Sequence, residues 1–350
     1  MNPRINKLLS RLPREKIDGL LVTRAANVSY LAEFSSADSW LLVTSRKTVY
    51  ITDFRYGEEV KKYLKQISLF DHKKEIYNAV KQLCRSLKIK RLGFEEQGIS
   101  FGGYRKLRKA LGGRVILRPT SDLVEGLRQI KEPGEIQRIR RVVELAGEAF
   151  EFLKTIIKPG KREKEVAFDL ESFIYHKGAK LSFTPIIASG INSVFPHAKI
   201  SDKRITRNEA ITVDIGVDLE GYKSDLTRVF FLGKIPLFCK QIYKIILEAQ
   251  RRAINEIRPG QPAKIIDSLA RNYIKQKGLG RFFGHSLGHG VGLEVHEAPT
   301  ISAKSPTMIE KDMVFTVEPG IYIPGKYGVR VEDMVLVKEK GCKVISGLIH

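Results

Sequence analysis

Apolar residues in the first 120 positions gather into short β-rich runs at 19–23, 40–44, 48–52, 91–95 and 115–118. Between them, at 56–64, 74–86 and 100–111, apolar positions recur every three or four residues, the spacing of one helix face. That alternation is the signature of an α/β layer fold. It holds no phosphate loop and no cluster of catalytic residue types. Beyond it the period lengthens. Ile136, Ile139, Val143, Ala146, Phe150, Leu153 and Ile157 trace one face of a long helix. Pro133 suits the first turn of that helix, Glu132, Glu135 and Glu144 favour its N-terminal half, and Pro159-Gly160 stops it. Further helices are expected at 163–177, 242–257 and 263–277, with β-rich stretches between and after them. The break at 119–127 reads as a boundary, giving domains 1–125 and 126–350.

Composition narrows the function classes. No window approaches the roughly 18 apolar residues of a membrane span. No apolar leader follows the first residues, so a cytoplasmic protein without a membrane partner is expected. Cys84, Cys239 and Cys342 are too widely spaced for a disulfide framework or a thiolate metal site, and read as packing residues. The net charge of +22 raises nucleic-acid binding, and +14 of it lies in residues 1–131. The basic residues there are scattered, as in Lys61, Lys62, Lys65, Lys73, Lys74, Arg105, Lys106, Arg108 and Lys109. Solvated faces of amphipathic helices produce the same pattern, so nucleic acid is not an expected partner.

The chemistry lies in the second domain. Residues 210–231 read as two strands around a turn. With Leu219 and Glu220 as a two-residue loop, Asp214 and Asp225 stand directly opposite, their Cβ atoms about 5 Å apart. The flanking Ile211, Val213, Ile215 and Val217 imply a half-buried strand, where two like charges need a shared proton or a cation. A bulge or longer loop that turns one Asp to solvent is the alternative. In residues 283–299, His285, His289 and His296 fall among Gly288, Gly290 and Gly292, glycines that let the backbone approach closely. In residues 313–337, a turn at Pro324, Gly325 and Lys326 would set Glu318 opposite Glu332, with Arg330 on the Glu332 face. Structural pairing of Arg330 with either glutamate is the competing account.

Four carboxylates and one imidazole make a hard donor set suited to Mn²⁺, Co²⁺, Zn²⁺ or Fe²⁺. Four negative charges exceed what one divalent ion neutralises, so two ions are favoured, and two ions sharing a water favour hydrolysis.

At these motifs the chain resembles the pita-bread metallopeptidase family of M24 type, in its Xaa-Pro branch of prolidases and aminopeptidases P. The matching segments are Asp214 in Val-Asp-Ile-Gly, Asp225 in Gly-Tyr-Lys-Ser-Asp-Leu-Thr-Arg, His289 in Gly-His-Gly-Val-Gly, Glu318 in Thr-Val-Glu-Pro-Gly and Glu332 in Val-Arg-Val-Glu-Asp. The stretch from Ser189 through Asn192 and Pro196 to His197 matches as well, and the first 120 or so residues are similar to that branch's N-terminal domain. The resemblance implies an α/β creatinase-type N-terminal domain and an α+β pita-bread catalytic domain. It implies two divalent ions, manganese foremost, on Asp214, Asp225, His289, Glu318 and Glu332. A hydroxide bridging them would attack, and Glu318 would take and return its proton. His285 and His296 would hold the substrate carbonyl and oxyanion, His197 would line the pocket of the leaving residue, and Arg330 would orient a ligand carboxylate. The expected substrates are small peptides with proline second, and the expected assembly is a homodimer. Thr184 stands where many relatives have Asp and Lys223 where Cys is common, neither of them a ligand. Methionine aminopeptidase-like activity and a non-catalytic module binding peptide or nucleic acid are the competing readings. The intact set of five ligands argues against the second.

Overall fold

A computed structural model describes residues 2–347 except 35, 65, 66 and 74. Lys65 and Lys74, named above among the basic residues, lie outside the described residues, as does the first position of the helix expected at 74–86. The chain divides into two compact units between Arg128 and Gln129.

The first unit is built on a six-stranded sheet of β1 (Gly19–Val22), β2 (Trp40–Thr44), β3 (Thr48–Thr52), β4 (Ser68–Asp71), β5 (Arg91–Glu95) and β6 (Ile116–Thr120), in the order β4-β3-β2-β1-β5-β6. The β1, β2 and β3 strands form an antiparallel meander, and the outer strands join in parallel. Leu21, Leu42, Val49 and Ile51 from the sheet pack on Val80, Leu83 and Leu107 from helices Ile76–Ser86 and Phe101–Leu111. Edge strand β4 has no fully buried residue, which is why its four residues give no apolar signal.

The second unit repeats one plan twice. Helices Pro133–Ile156 and Glu163–His176 open the first half, and Leu237–Glu256 and Ala263–Gln276 open the second. Pro159-Gly160 and Pro259-Gly260 separate each pair, with φ of 94° and 86° at the glycines. The Gly160 N–H donates to Ile205 O and the Gly260 N–H to Ile309 O, both at 2.8 Å. After each pair come strands: β7 (Lys180–Leu181), β8 (Ile186–Ser189), β9 (Glu209–Ile215), β10 (Val217–Leu219), β11 (Tyr222–Lys223) and β12 (Leu226–Leu232) in the first half. The second half carries β13 (Gly288–Gly290), β14 (Glu297–Ile301), β15 (Val314–Val317), β16 (Gly320–Tyr322), β17 (Gly328–Arg330), β18 (Asp333–Lys338) and β19 (Gly341–Val344). Thr-Val-Asp214-Ile-Gly ends β9 and Thr-Val-Glu318-Pro-Gly ends β15, so the same short phrase closes a strand in each half.

The halves are sewn together where Thr227 bridges Glu332. Buried Arg228 donates to Glu332 O at 2.5 Å and to Asp333 Oδ1 at 2.6 Å across that seam. Two apolar clusters fill the unit, one around Val143, Phe150 and Val213 that also takes in Val314, Met334 and Leu336 of the second half, the other around Ile246, Phe315 and Val335. Cys84 and Cys239 are buried free thiols, and burial pushes them up to about 12 and about 11 respectively.

Candidate metal centre

The first hairpin departs from its expected register. Glu220 and Gly221 form the turn, with φ of 54° and 86°, so Asp218 pairs with Lys223 and Asp214 with Thr227. Positive φ at both central residues is the type I′ turn favoured by strand twist, and Gly221 is the residue that admits it at no cost. Asp225 therefore stands diagonal to Asp214 rather than opposite. A slip of two residues preserves the face, and both carboxylates still point the same way. The second hairpin has the expected register: Gly320 pairs with Arg330, and Val317 with Asp333, leaving Glu318 and Glu332 facing each other between the two ladders.

His289 lies on β13 between two glycines that have no room for a side chain. A Cβ at Gly288 would sit 1.9 Å from Thr316 O, and one at Gly290 would sit 2.2 Å from Ala298 O. That close packing carries the ring to the acids. His289 Nε2 is 3.3 Å from Glu318 Oε1 and 3.5 Å from Asp225 Oδ2. Its Nδ1 lies 3.2 Å from Gly290 O, and since a carbonyl only accepts, Nδ1 carries a hydrogen; Nε2 is the nitrogen turned to the cluster, where it shares a proton with Glu318 in the metal-free site and would ligate an ion in that proton's place.

All five expected ligand residues thus converge. Donor atoms of Asp214, Asp225 and Glu332 lie within 4.8 Å of one another, as do those of His289, Glu318 and Glu332, and those of Asp225, His289 and His296. Burial raises the Asp225 carboxyl well above the usual range, with repulsion from Glu332 and Asp214 added. Glu332 is likewise pushed well up by burial and by Glu318 and Asp214. Burial raises Asp214 too, against the pull of Arg330. For Glu318, burial is the largest single influence and pushes the carboxyl up, but the hydrogen bond and charge of His289 together with the charges around it, Arg330 among them, outweigh burial and hold it below the ordinary value.

Two buried carboxylate oxygens, Asp214 Oδ1 and Glu332 Oε1, have no hydrogen-bond partner among the described residues. Leaving an anionic oxygen buried and unpaired is costly, and a cation relieves it. The donor chemistry, the repulsion and the orphaned oxygens together fit divalent metal.

The remaining candidates surround this cage. Half-buried His285 has Nδ1 at 2.8 Å from Ser286 O, which places the hydrogen there and leaves Nε2 to Tyr322 Oη at 3.3 Å. Burial lowers the His285 pKa, so the ring is neutral at pH 7 and has no N–H facing the cage. His296 is exposed, its ring centroid 4.2 Å from that of His289, and burial of its nitrogen also holds it neutral. His197 is exposed after the short 3₁₀ segment Gly190–Val194. Arg330 pairs with neither glutamate. Its Nη2 is 2.5 Å from Asp214 Oδ2, Nη1 reaches Tyr322 Oη at 2.6 Å and Pro196 O at 3.1 Å, and Nε donates to Thr227 Oγ1 at 3.1 Å.

Residues 137–339 match the family described as Metallopeptidase family M24, more than half of the chain. The chain belongs to metallopeptidase family M24. Residues 4–130 of this M24 chain match the Creatinase/Prolidase N-terminal domain. It is 37% identical over 349 residues to a Xaa-Pro dipeptidase of Pyrococcus horikoshii, covering 99% of this chain and 97% of the relative. Among solved structures it is similar to a Xaa-Pro dipeptidase from Bacillus anthracis, with TM-score 0.96, 39% identity and coverage of 99% and 97%. It is also similar to an X-Pro aminopeptidase from Thermotoga maritima, with TM-score 0.90, 36% identity and coverage of 99% and 98%. The creatinase-type domain followed by a pita-bread domain is the architecture of the M24 chain.

Several residues that position the M24 site escaped the sequence reading. Thr227 Oγ1 donates to Glu332 Oε2 at 2.7 Å, and Thr316 Oγ1 donates to Glu318 Oε1 at 3.2 Å. Fully buried Glu163 accepts from the Ser189 N–H and hydroxyl at 2.8 Å and from Asn192 and Ser201, tying down the segment that leads to His197. In the second half fully buried Asp267 pairs with Arg271, which donates to His285 O at 2.8 Å. The doubled Pro-Gly and Thr-Val-acid-X-Gly phrases were the sequence signal of the repeated plan on which these residues sit.

Proposed function

We propose that the chain is a dinuclear-metal exopeptidase that hydrolyses the bond between an N-terminal residue and proline. The convergence of Asp214, Asp225, His289, Glu318 and Glu332 around two orphaned buried oxygens carries this reading. These five side chains hold two divalent ions, manganese first, with cobalt, zinc or iron(II) as alternatives that the same donor set accepts. When bound, the ions supply a water ionised near neutral pH and a Lewis acid for the scissile carbonyl.

The chain's own groups supply the rest. Glu318, oriented by the Thr316 hydroxyl and ionised as one of the five ligands, takes the proton of the attacking water and returns it to the departing prolyl nitrogen. Neutral His296 donates its N–H to the carbonyl oxygen as negative charge develops there. His197 lines the pocket for the leaving proline, whose amide has no N–H to offer. Arg330 fixes Asp214 and, through Tyr322, His285; a substrate carboxylate reaches it only in competition with those partners. His285 in its present tautomer accepts from Tyr322 rather than donating to an oxyanion.

Hydrolysis of Xaa-Pro and Xaa-Pro-Yaa peptides, with manganese and with EDTA, tests the reading. Cleavage of the first alone marks a dipeptidase, cleavage of the second an aminopeptidase, and cleavage of neither under manganese, cobalt or zinc overturns it. Replacing His296 by Ala should lower kcat about 100-fold, the scale of losing one oxyanion donor, with little change in KM. An unchanged kcat removes His296 from that role.

A further inference from the structure

Lys131 and Glu297 form an ion pair at 2.7 Å with side chains only 1% and 4% exposed. Drying two charges this completely returns little net stability, so a pair so placed calls for a second reason. Its setting supplies one. The Lys131 N–H donates to Asp312 O at 3.0 Å beside the bridge between Ile130 and Met313, so the lysine projects from pinned backbone. Glu297 stands at the foot of the hairpin of β13 and β14, opposite Gly290, and the chain between them, 291–296, is the loop that ends in His296.

The Glu297 carboxylate folds back beneath that loop. Its Oε1 lies 2.5 Å from where a Cβ would stand on Gly292, and its Oε2 accepts from the Glu294 N–H at 3.3 Å. Two backbone bonds fix the loop's near side, Val291 N–H to Val314 O at 3.3 Å and Lys223 N–H to Gly292 O at 2.8 Å. The far side, residues 294–296, has the anchored carboxylate beneath it.

We propose that Lys131 is a positioning residue for His296: through Glu297 it holds the 291–297 loop in the one geometry that sets the His296 ring beside His289. The proposal rests on the catalytic part given to His296 above. A carboxylate with a fixed counter-charge cannot swing out to water without stranding the lysine, so the loop is locked from below.

The test uses the full chain carrying Lys131→Met, Glu297→Gln and the double substitution, each with and without His296→Ala. Hydrogen exchange of residues 291–297 and kcat and KM on an Xaa-Pro dipeptide are the readouts. Lys131→Met is expected to speed exchange in that loop alone and to lower kcat about 10- to 100-fold, as loss of an orienting partner does. In the His296→Ala background it should add less than about twofold, because both changes remove the same contribution. The double substitution strands no buried charge, so it keeps the test open if Lys131→Met does not fold; it should still show faster loop exchange and a reduced kcat. Wild-type exchange and kcat in the double variant, faster exchange across the whole chain, or full multiplication with His296→Ala each overturn the proposal. Exchange reads the loop without turnover, so a wild-type chain inactive on Xaa-Pro peptides counts against the proposed function and leaves the loop result standing.

Discussion

Replacing Asp225 by Asn will abolish peptide hydrolysis and leave the protein folded. Asp225 belongs to two of the three donor groups, one with Asp214 and Glu332 and one with His289 and His296, so the substitution weakens both ends of the cage at once. A loss of about 1000-fold or more in kcat is expected, the upper range for removing one member of a preorganised charged site. The fold does not depend on that charge, because β9 and β12 pack Val213, Ile215 and Leu226 into a dry core. In metal-free protein the Asn should even stabilise at high pH, where Asp225 would otherwise ionise against Glu332 and Asp214. Thermal melts with and without manganese, beside turnover, check both halves of the statement. A variant that stays unfolded with metal present would show the carboxylate to be structural, and one that turns over normally would take it out of the site.

Chelation should lower the melting temperature, and by more at pH 8 than at pH 5. Folding raises the Asp225 and Glu332 carboxyls well above their unfolded values, so the metal-free fold holds their protons more tightly than the open chain does. That contribution is fully present below the unfolded carboxylate range, about pH 4, and is lost as pH rises through the raised folded values. Cations reverse the slope, because they bind the ionised groups. At a hundredfold excess over Kd each site adds about 2.7 kcal/mol, or roughly 5 kcal/mol for two. With a shift of about 2–4 °C per kcal/mol in a domain of this size, metal should raise Tm at pH 8 by about 10–20 °C. Equal melting with and without EDTA at pH 8, or a metal effect greatest at pH 4, would contradict the assignment of these acids.

Legibility of this site in the sequence depended on what set each feature. The pairing of Glu318 and Glu332 was readable because Pro324 and Gly325 mark their turn unambiguously. Asp214 and Asp225 were misplaced by two residues because the turn was centred on Leu219 and Glu220, when Gly221 is the residue that admits positive φ. The face survived, since alternation along a strand is insensitive to an even slip. Strand β4 was too short and too exposed to register, whereas the long helix from Pro133 announced both its ends. What the sequence could not show is partner choice across distance. Arg330 pairing with Asp214, Lys131 with Glu297, and Glu163 beneath Ser189 join residues far apart in the chain, and no periodicity encodes them.

Each half of the second unit supplies a single pair of acids, Asp214 with Asp225 from one and Glu318 with Glu332 from the other, and the seam at Thr227 and Glu332 brings them together. Neither half alone owns a complete cage. A protein nicked between β12 and helix Leu237–Glu256 would therefore keep its ions only while the two fragments remain clasped, and metal release would become a direct gauge of their grip on each other.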